Sequence, residues 1–124
     1  MRTLIVALGS ITLGLVTLGL AAAALPARAE TIAPNDAKTH VGQTVTIHAA
    51  VEEVKTGRGG VTFLDMGGAF PDNAFAAVIF AGDLAKFPTA KTLKGKTVAI
   101  SGPVQLYQGK PEIVLKTPDQ LKAD

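Results

Sequence analysis

The sequence predicts an all-β fold, a five-stranded Greek-key barrel with a short helix between its third and fourth strands. Three observations lead to this prediction. Apolar residues recur at every second position in several segments, which is the pattern of half-buried strands. Turns rich in Gly or Pro separate these segments. The length leaves room for one domain with a modest core, and strands in this number and order are those of an OB-fold.

The first 29 residues have the features of a secretory signal peptide. A positive start at Arg2 is followed by an almost wholly apolar stretch, residues 4–25, and by the small-x-small triplet that ends at Ala29. Such a signal is cleaved after its last small residue. An apolar stretch of about 20 residues could also remain as a membrane anchor. The triplet and the polar sequence from Glu30 onward favour cleavage, and therefore a periplasmic or secreted protein with no membrane segment.

The mature chain that this cleavage would leave is electrically balanced. Arg2 and Arg28 depart with the signal, so the 12 Lys and Arg of the full sequence fall to 10, which equals the number of Asp and Glu. The sequence has no Cys, so neither disulfide bonds nor thiolate metal sites can stabilise the fold. We expect a flexible leader over residues 30–35 and a single OB-fold domain over residues 36–124.

The first three strands follow the leader in order. Strand one alternates through Val45, Ile47, Ala49 and Val51. Strand three is continuously apolar, which predicts burial on both of its faces. The predicted segments are strand one from Thr44, a Gly-rich turn over residues 55–60, strand two over 61–66, a connection over 67–73 and strand three over 74–80.

A short helix and two further strands complete the prediction. Asp83 is expected to cap the helix, and Pro88 stops it after one or two turns. Strand four contains Gly102, which fits a bend of the kind that a barrel needs. The stretch "YQGKP", residues 107–111, is a tight turn before strand five, and the tail is expected to dock through Leu121.

Three stretches of the sequence resemble a known group of proteins. They are "HVGQTVTIHAAVEEV", "VTFLDMGGAFPDNAFAAVIF" and "LKGKTVAISGPVQLYQGKPEIVLKTPDQL". They are similar to small bacterial exported OB-fold proteins described as nucleic-acid-binding or DNA-binding, and to OB segments beside secreted nuclease domains. The resemblance covers roughly residues 36–121, and "GKPEI" followed by "PDQL" is its most specific part. It implies an exported domain that binds nucleic acid.

Few residues are available for catalysis, and they predict no enzymatic activity. Nucleophilic catalysis needs a nucleophile beside a base, but the mature chain retains one Ser, Ser101, and two His, His40 and His48. Ser101 lies in the outward register of strand four, where only the fold could bring a His to it. No carboxylate pair or metal-ligand spacing is recognisable. We therefore expect no catalytic residue, metal or cofactor.

The candidate binding residues lie in and around two loops. The ligand face of an OB-fold is formed by strands two and three, flanked by the loop between strands one and two and the loop between strands four and five. Positive side chains there can follow phosphates, and aromatic rings can stack on bases. The candidates are Lys55 and Arg58 in the first loop, Phe63 on strand two, and Tyr107, Gln108 and Lys110 at the second loop.

The remaining aromatic residues are divided between core and surface. Phe75, Phe80 and Phe87 are assigned to the core, and Phe70 is left open. Two functions follow for the face as a whole. The first is noncatalytic binding of single-stranded nucleic acid or nucleotides, which the balanced charge weakens because such binding draws on phosphate neutralisation. The second is a cell-envelope module that binds a protein or an oligosaccharide.

Overall fold

The computed structural model describes residues 29–124. Residues 1–28 of the predicted signal peptide lie outside the described residues, so its cleavage stays a prediction. Over the described range, none of the helices has the length and apolar character that crossing a membrane requires.

Strands dominate the described part of the chain, and the all-β prediction is therefore confirmed. The eight strands are β1 (Glu30–Ile32), β2 (Thr44–Thr56), β3 (Thr62–Met66), β4 (Phe75–Ile79), β5 (Thr97–Pro103), β6 (Gln105–Tyr107), β7 (Lys110–Val114) and β8 (Leu121–Ala123). Short 3₁₀ helices span Pro34–Thr39, Arg58–Gly60, Ala81–Lys86, Ala90–Thr92 and Pro118–Gln120.

Four of the five predicted strands correspond to β2, β3, β4 and β7. The predicted fourth strand is divided into β5 and β6, because the chain leaves one partner strand and joins another at Val104. β1 and β8 were not expected as strands. β1 lies in the stretch predicted as a flexible leader and pairs in parallel with β2, and β8 lies in the tail and pairs with β5.

The long strand β2 connects the two parts of the sheet. Its first half pairs with β1 on one edge and with β5 on the other, and its second half pairs with β3. The register shifts between Val51 and Glu53, where the strand changes partners. A bulge of this kind bends a strand and increases its twist. The hydrogen-bonded path runs β6-β7-β4-β3-β2-β5-β8, with β4 and β7 parallel.

One hydrophobic core lies inside this sheet. Val45, Ile47 and Val51 of β2 and Leu64 and Met66 of β3 are at most 1% exposed. β4 is buried along its whole length, Phe75–Ile79, as its continuous apolar sequence predicted. Phe75 and Phe87 belong to the core, but Phe80, which follows β4, is 47% exposed, so its assignment to the core was wrong.

Two 3₁₀ segments, Ala81–Lys86 and Ala90–Thr92, occupy the place of the predicted short helix. The N-cap residue is Phe80, not Asp83. Asp83 lies inside the segment and accepts a hydrogen bond from the Lys86 ammonium at 2.9 Å. The expected cap was wrong because the chain begins to wind three residues earlier than the sequence signal indicated.

The edges of β5 and β7 approach each other along a line that we call the seam. Within residues 29–124 no backbone ladder joins these two strands, so the paired strands form an open path and not a closed barrel. The side chain of Gln120 bridges the seam. Its Nε2 donates to the carbonyl of Ser101 on β5 at 3.0 Å and to that of Val114 on β7 at 3.2 Å.

The oxygen of the same amide also accepts hydrogen bonds, and Gly102 leaves space for the amide. Gln120 Oε1 accepts from the backbone N–H groups of Lys116 at 2.7 Å and Thr117 at 3.0 Å. Gly102 has φ 153°, and a Cβ there would lie 2.7 Å from Ile113 Cγ2 and 2.9 Å from Gln120 Nε2. Glycine is needed at this position both for its conformation and for space.

Candidate functional site

The outer surface of β3, β4 and β7 forms the candidate site. Alternation along each strand sends every second side chain outward. The outward residues are Phe63 and Asp65 on β3, Ala76 and Val78 on β4, and Lys110, Glu112 and Val114 on β7. Ala76 pairs with both Asp65 and Glu112, so this small side chain separates two carboxylates. Small residues in the middle and larger ones on both sides produce a concave face.

Two adjoining grooves lie on this face. The central groove has a volume of about 350 Å³, and five predicted binding residues line it: Lys55, Phe63, Tyr107, Gln108 and Lys110. The flanking groove, of about 330 Å³, is lined by the sixth, Arg58. Both volumes are within the range of small-ligand sites. The structure thus brings all six residues to one surface, and their role in binding stays a prediction.

Lys55 lies at the end of β2 and not in the turn where the sequence placed it. Its Nζ is 3.2 Å from Asp65 Oδ2. It also lies 3.6 Å from the centroid of the Phe70 ring and 5.5 Å from that of Phe63. An ammonium over the face of a ring is attracted by the ring quadrupole. Lys55 therefore holds Phe70 against the groove while its charge is balanced by a carboxylate.

Lys110 fastens the loop between β3 and β4 to the hairpin of β6 and β7. Its Nζ donates to the carbonyl oxygens of Pro71 at 2.7 Å and Asn73 at 2.8 Å, and to Asn73 Oδ1 at 3.0 Å. An ammonium has three N–H donors, and all three are used here. The expectation that Lys110 donates to a phosphate does not fit this geometry.

The stretch "YQGKP" is a tight turn, as the sequence predicted. Gln108 and Gly109 are its two central residues, with φ 52° and 79°, and Tyr107 pairs with Lys110 across it. A two-residue hairpin with both central residues at positive φ matches the natural twist of the strands. This turn presents Tyr107 and Gln108 at the rim of the central groove.

Two buried carboxylates in the central groove were missed from the sequence. Asp65 is 1% exposed and Glu112 is 8% exposed. Burial raises the pKa of both carboxyl groups, and for Asp65 the hydrogen bond and charge of Lys55 partly oppose the rise. Asp65 accepts from Asn73 Nδ2 at 3.3 Å, and Glu112 accepts from Gln105 Nε2 at 3.2 Å. Alternation along β3 and β7 is the signal that could have placed both on this face.

Exposed aromatic rings surround the two grooves. Phe70 is 58% exposed and Tyr107 57%, and Phe63, which lines both grooves, is half-buried. Phe80 lines the flanking groove. The parity of β4 could have revealed Phe80, since Phe75, Ala77 and Ile79 face the core and the residue after Ile79 faces outward.

The residues considered for catalysis line neither groove, and within residues 29–124 no hydrogen bond joins Ser101 to either His. His40 Nε2 is 3.6 Å from Glu30 Oε1, and His48 Nε2 is 3.0 Å from Asp124 Oδ2. The Ser101 hydroxyl is 2.8 Å from the hydroxyl of Thr46. Among residues 29–124 no three His, Asp or Glu side chains are arranged to hold a metal ion.

Comparison with solved structures shows what the fold is similar to. OBody AM1L10, solved bound to hen egg-white lysozyme, superposes with a TM-score of 0.58 at 17% identity, over 81% of this chain and 98% of its own. The asparaginyl-tRNA synthetase of Entamoeba histolytica superposes with a TM-score of 0.54 at 19% identity, over 77% of this chain. The match spans only 23% of the synthetase chain.

A looser match is a candidate nucleic acid-binding lipoprotein from Klebsiella pneumoniae, with a TM-score of 0.46 at 13% identity, over 77% of this chain and 92% of that one. No protein-family model and no curated protein sequence matches the chain. At these identities the likeness concerns the fold alone, and that fold is OB-like.

Proposed function

We propose that this chain is a noncatalytic module that binds single-stranded nucleic acid on the outer face of β3, β4 and β7. The observation that carries the proposal is the set of aromatic rings around the two grooves: Phe63, Phe70, Phe80 and Tyr107. Every base has a flat face that can stack on such a ring, whatever its identity. A concave surface with several exposed rings therefore suits an unpaired strand better than a duplex, whose bases are already stacked.

The cations of the site limit how such a strand would be held. The ammonium groups of Lys55 and Lys110 are engaged by internal partners. Arg58 is exposed, and the contacts among residues 29–124 include no hydrogen bond or ion pair of its side chain. Since each phosphate contact to a single strand contributes about −0.7 to the slope of log affinity against log salt, we expect a shallow slope near that value.

The fold supports this choice of face. We infer that β2, β3, β4, β5 and β7 act as the five strands of an OB barrel, with the Gln120 side chain replacing a ladder at the seam. In an OB-fold the ligand lies across strands two and three, which are β3 and β4 here. The grooves lie on that surface. No observation on residues 29–124 specifically favours the cell-envelope alternative.

A titration of labelled single-stranded oligonucleotide of mixed sequence tests the proposal. Tyr107→Ala should weaken binding by about 1–3 kcal/mol because one stacked base is lost. Leu106→Ala is the matched control, since Leu106 is its neighbour on β6, is also exposed, at 52%, and points to the other side of the strand. Equal effects of the two substitutions, or no binding by the wild type, would show that this face does not bind a strand.

We further propose that the protein is exported and processed after Ala29. Cleavage there would leave Glu30, the first residue of β1, at the new N-terminus. Intact-mass measurement of the protein recovered outside the cytoplasm should show the loss of 29 residues. Recovery of the uncleaved chain from membranes would support the anchor instead.

A further inference from the structure

We propose that Glu112 gives this face a preference for cytosine and adenine, whose N4 and N6 amino groups take the place of a ring carbonyl, over thymine and uracil. This inference rests on the proposed function, because it names which strands the same face would bind best. It is carried by the position of Glu112 between the aromatic rings and by the acceptor capacity that its carboxylate retains.

Glu112 lies at the junction of the two grooves. It lines both of them, and so do Phe63 and Tyr107. Along β7, Glu112 is two residues from Lys110, the cross-strand partner of Tyr107, and two residues from Val114, which is in the row of Phe63. Two residues along a strand span about 6.6 Å. A base stacked on either ring would therefore bring its edge within reach of this carboxylate.

The Glu112 carboxylate has acceptor capacity that the protein does not fill. An ionised carboxylate offers about four lone-pair sites, and the hydrogen bond described for Glu112 is the one from Gln105 Nε2 at 3.2 Å. The two oxygens of Asp65, by contrast, are enclosed by the protein: Oδ1 accepts from Asn73 Nδ2 at 3.3 Å, and Oδ2 is a buried atom paired with the Lys55 ammonium at 3.2 Å. Asp65 is thus an internal anchor, and Glu112 is the carboxylate that can serve a ligand.

Because Glu112 is buried, a hydrogen bond donated to its carboxylate by a ligand would matter more than it would at an exposed position. Glu112 is 8% exposed, so its carboxylate has lost most of its hydration and has one neutral amide donor in exchange. The resulting rise in its pKa reflects a charge that is incompletely compensated. A donor supplied by a ligand would stabilise the charge, whereas a ligand carbonyl placed there would remove more water and offer no hydrogen bond.

Cytosine and thymine differ in the substituent at ring position 4, which is the group that would face the Glu112 carboxylate. Cytosine carries an N4 amino group where thymine carries the O4 carbonyl, and a carboxylate accepts from the first and is repelled by the second. Adenine offers its N6 amino group in the same way. The ammonium groups of Lys55 and Lys110 lie in the same groove, so the carboxylates of Asp65 and Glu112 do not leave it negatively charged toward a strand.

The experiment compares two homopolymers that differ chiefly in this substituent. Oligodeoxycytidylate and oligodeoxythymidylate of about 12 nucleotides are titrated at pH 7.5 into residues 30–124 of the wild type and of Glu112→Gln. We expect the wild type to bind the cytosine oligomer at least about 5-fold more tightly. In Glu112→Gln the ratio should fall toward one, because a carboxamide can accept from cytosine or donate to thymine.

The ratio of the two affinities is the readout because removal of a negative charge alone would strengthen binding of both oligomers equally. Circular dichroism of the variant verifies its fold. If both oligomers bind the wild type equally and Tyr107→Ala weakens both, the preference is wrong and the proposed function stands. If neither binds, the proposed function itself is wrong. If an arginine-rich peptide binds instead and Glu112→Gln abolishes that binding, the carboxylate recognises a cationic protein segment and both proposals are overturned.

Discussion

Lys110 shows how a residue chosen for its charge can have a mainly structural role. The sequence identified it as a positive side chain in a ligand loop, and its position there is as expected. Its three oxygen partners belong to Pro71 and Asn73, 39 and 37 residues away in the sequence. Partners at that separation depend on how loops meet in the folded chain, and alternation along a strand carries no information about them.

Lys110→Met tests this structural role. The substitution keeps much of the aliphatic stem but leaves two backbone carbonyls and the Asn73 side chain without their charged donor. We expect a loss of about 1–3 kcal/mol in the free energy of unfolding, measured by urea denaturation. Lys91→Met, at an exposed position, should change it by less than about 0.5 kcal/mol. Similar values for the two variants would mean that Lys110 is an ordinary surface charge.

At the scale of single residues, the aromatic positions were predicted unevenly. Phe75 and Phe87 were correctly placed in the core, and Tyr107, beside a clear turn signal, was correctly placed at the second loop. Phe80 follows an unbroken apolar run, in which inward and outward positions look alike. Phe80 is exposed because every second residue along the strand faces outward, and a continuously apolar sequence does not show which residues those are.

Among the elements, the seam between β5 and β7 depends on a side chain from outside both strands. Gln120 lies in the 3₁₀ turn Pro118–Gln120, and its amide donates to one carbonyl on each strand. The sequence indicated that the tail docks, and it assigned the docking to Leu121, which is partly buried against the core. The polar contact was not predictable, because Gln in a tail is most often solvated.

Gln120→Glu isolates the two donors of this amide. A carboxylate retains the oxygen that accepts from Lys116 and Thr117, but it cannot donate to the Ser101 and Val114 carbonyls. We expect a loss of about 1–3 kcal/mol in unfolding free energy at pH 7, with hydrogen-exchange protection of the Lys116 and Thr117 amides retained. The exposed Gln43→Glu adds the same charge and should be nearly neutral. A stable Gln120→Glu protein would show that the seam does not need these bonds.

Across the whole molecule, the buried Glu112 connects stability to pH. Its pKa is raised in the folded protein, so the folded state binds its proton more tightly than the unfolded state does. Below its ordinary pKa the carboxyl group is protonated in both the folded and the unfolded state, so it does not lower the stability. Stability is then lost as the pH rises through the raised pKa, because a desolvated charge must be maintained. The sign is opposite to that of a carboxylate stabilised by a salt bridge.

We therefore expect Glu112→Gln to be more stable than the wild type at pH 7, with the difference vanishing near pH 3. Urea denaturation across this range measures it. Glu52→Gln, whose exposed side chain keeps its water on folding, controls for the loss of one negative charge. A difference that grows toward low pH would show that Glu112 is stabilised in its charged form. Such a result would also remove the incomplete compensation on which the base preference depends.

The overall architecture was largely predictable from the sequence, but the side-chain bridge between β5 and β7 was not. Segments with a period of two located β2, β3 and β7, because a half-buried strand alternates apolar and polar residues, and a continuous apolar run located β4. The short strands β1 and β8, of three residues each, contain too few residues to show a period. The grooves depend on three strands and two loops meeting, so their residues could be predicted only one at a time. Asp65 and Glu112 were not predicted because nothing in the sequence distinguishes a buried acidic residue in a strand from a solvated one.

The position of Gln120 after β5 and β7 has a consequence for how the protein is made. A ribosome delivers the chain from its N-terminus, so both edges of the seam exist before the amide that bridges them. During that interval the nascent sheet presents unbridged strand edges, which favour association with other chains. Variants weakened at this amide would keep those edges unbridged after synthesis, and we expect them to aggregate during production.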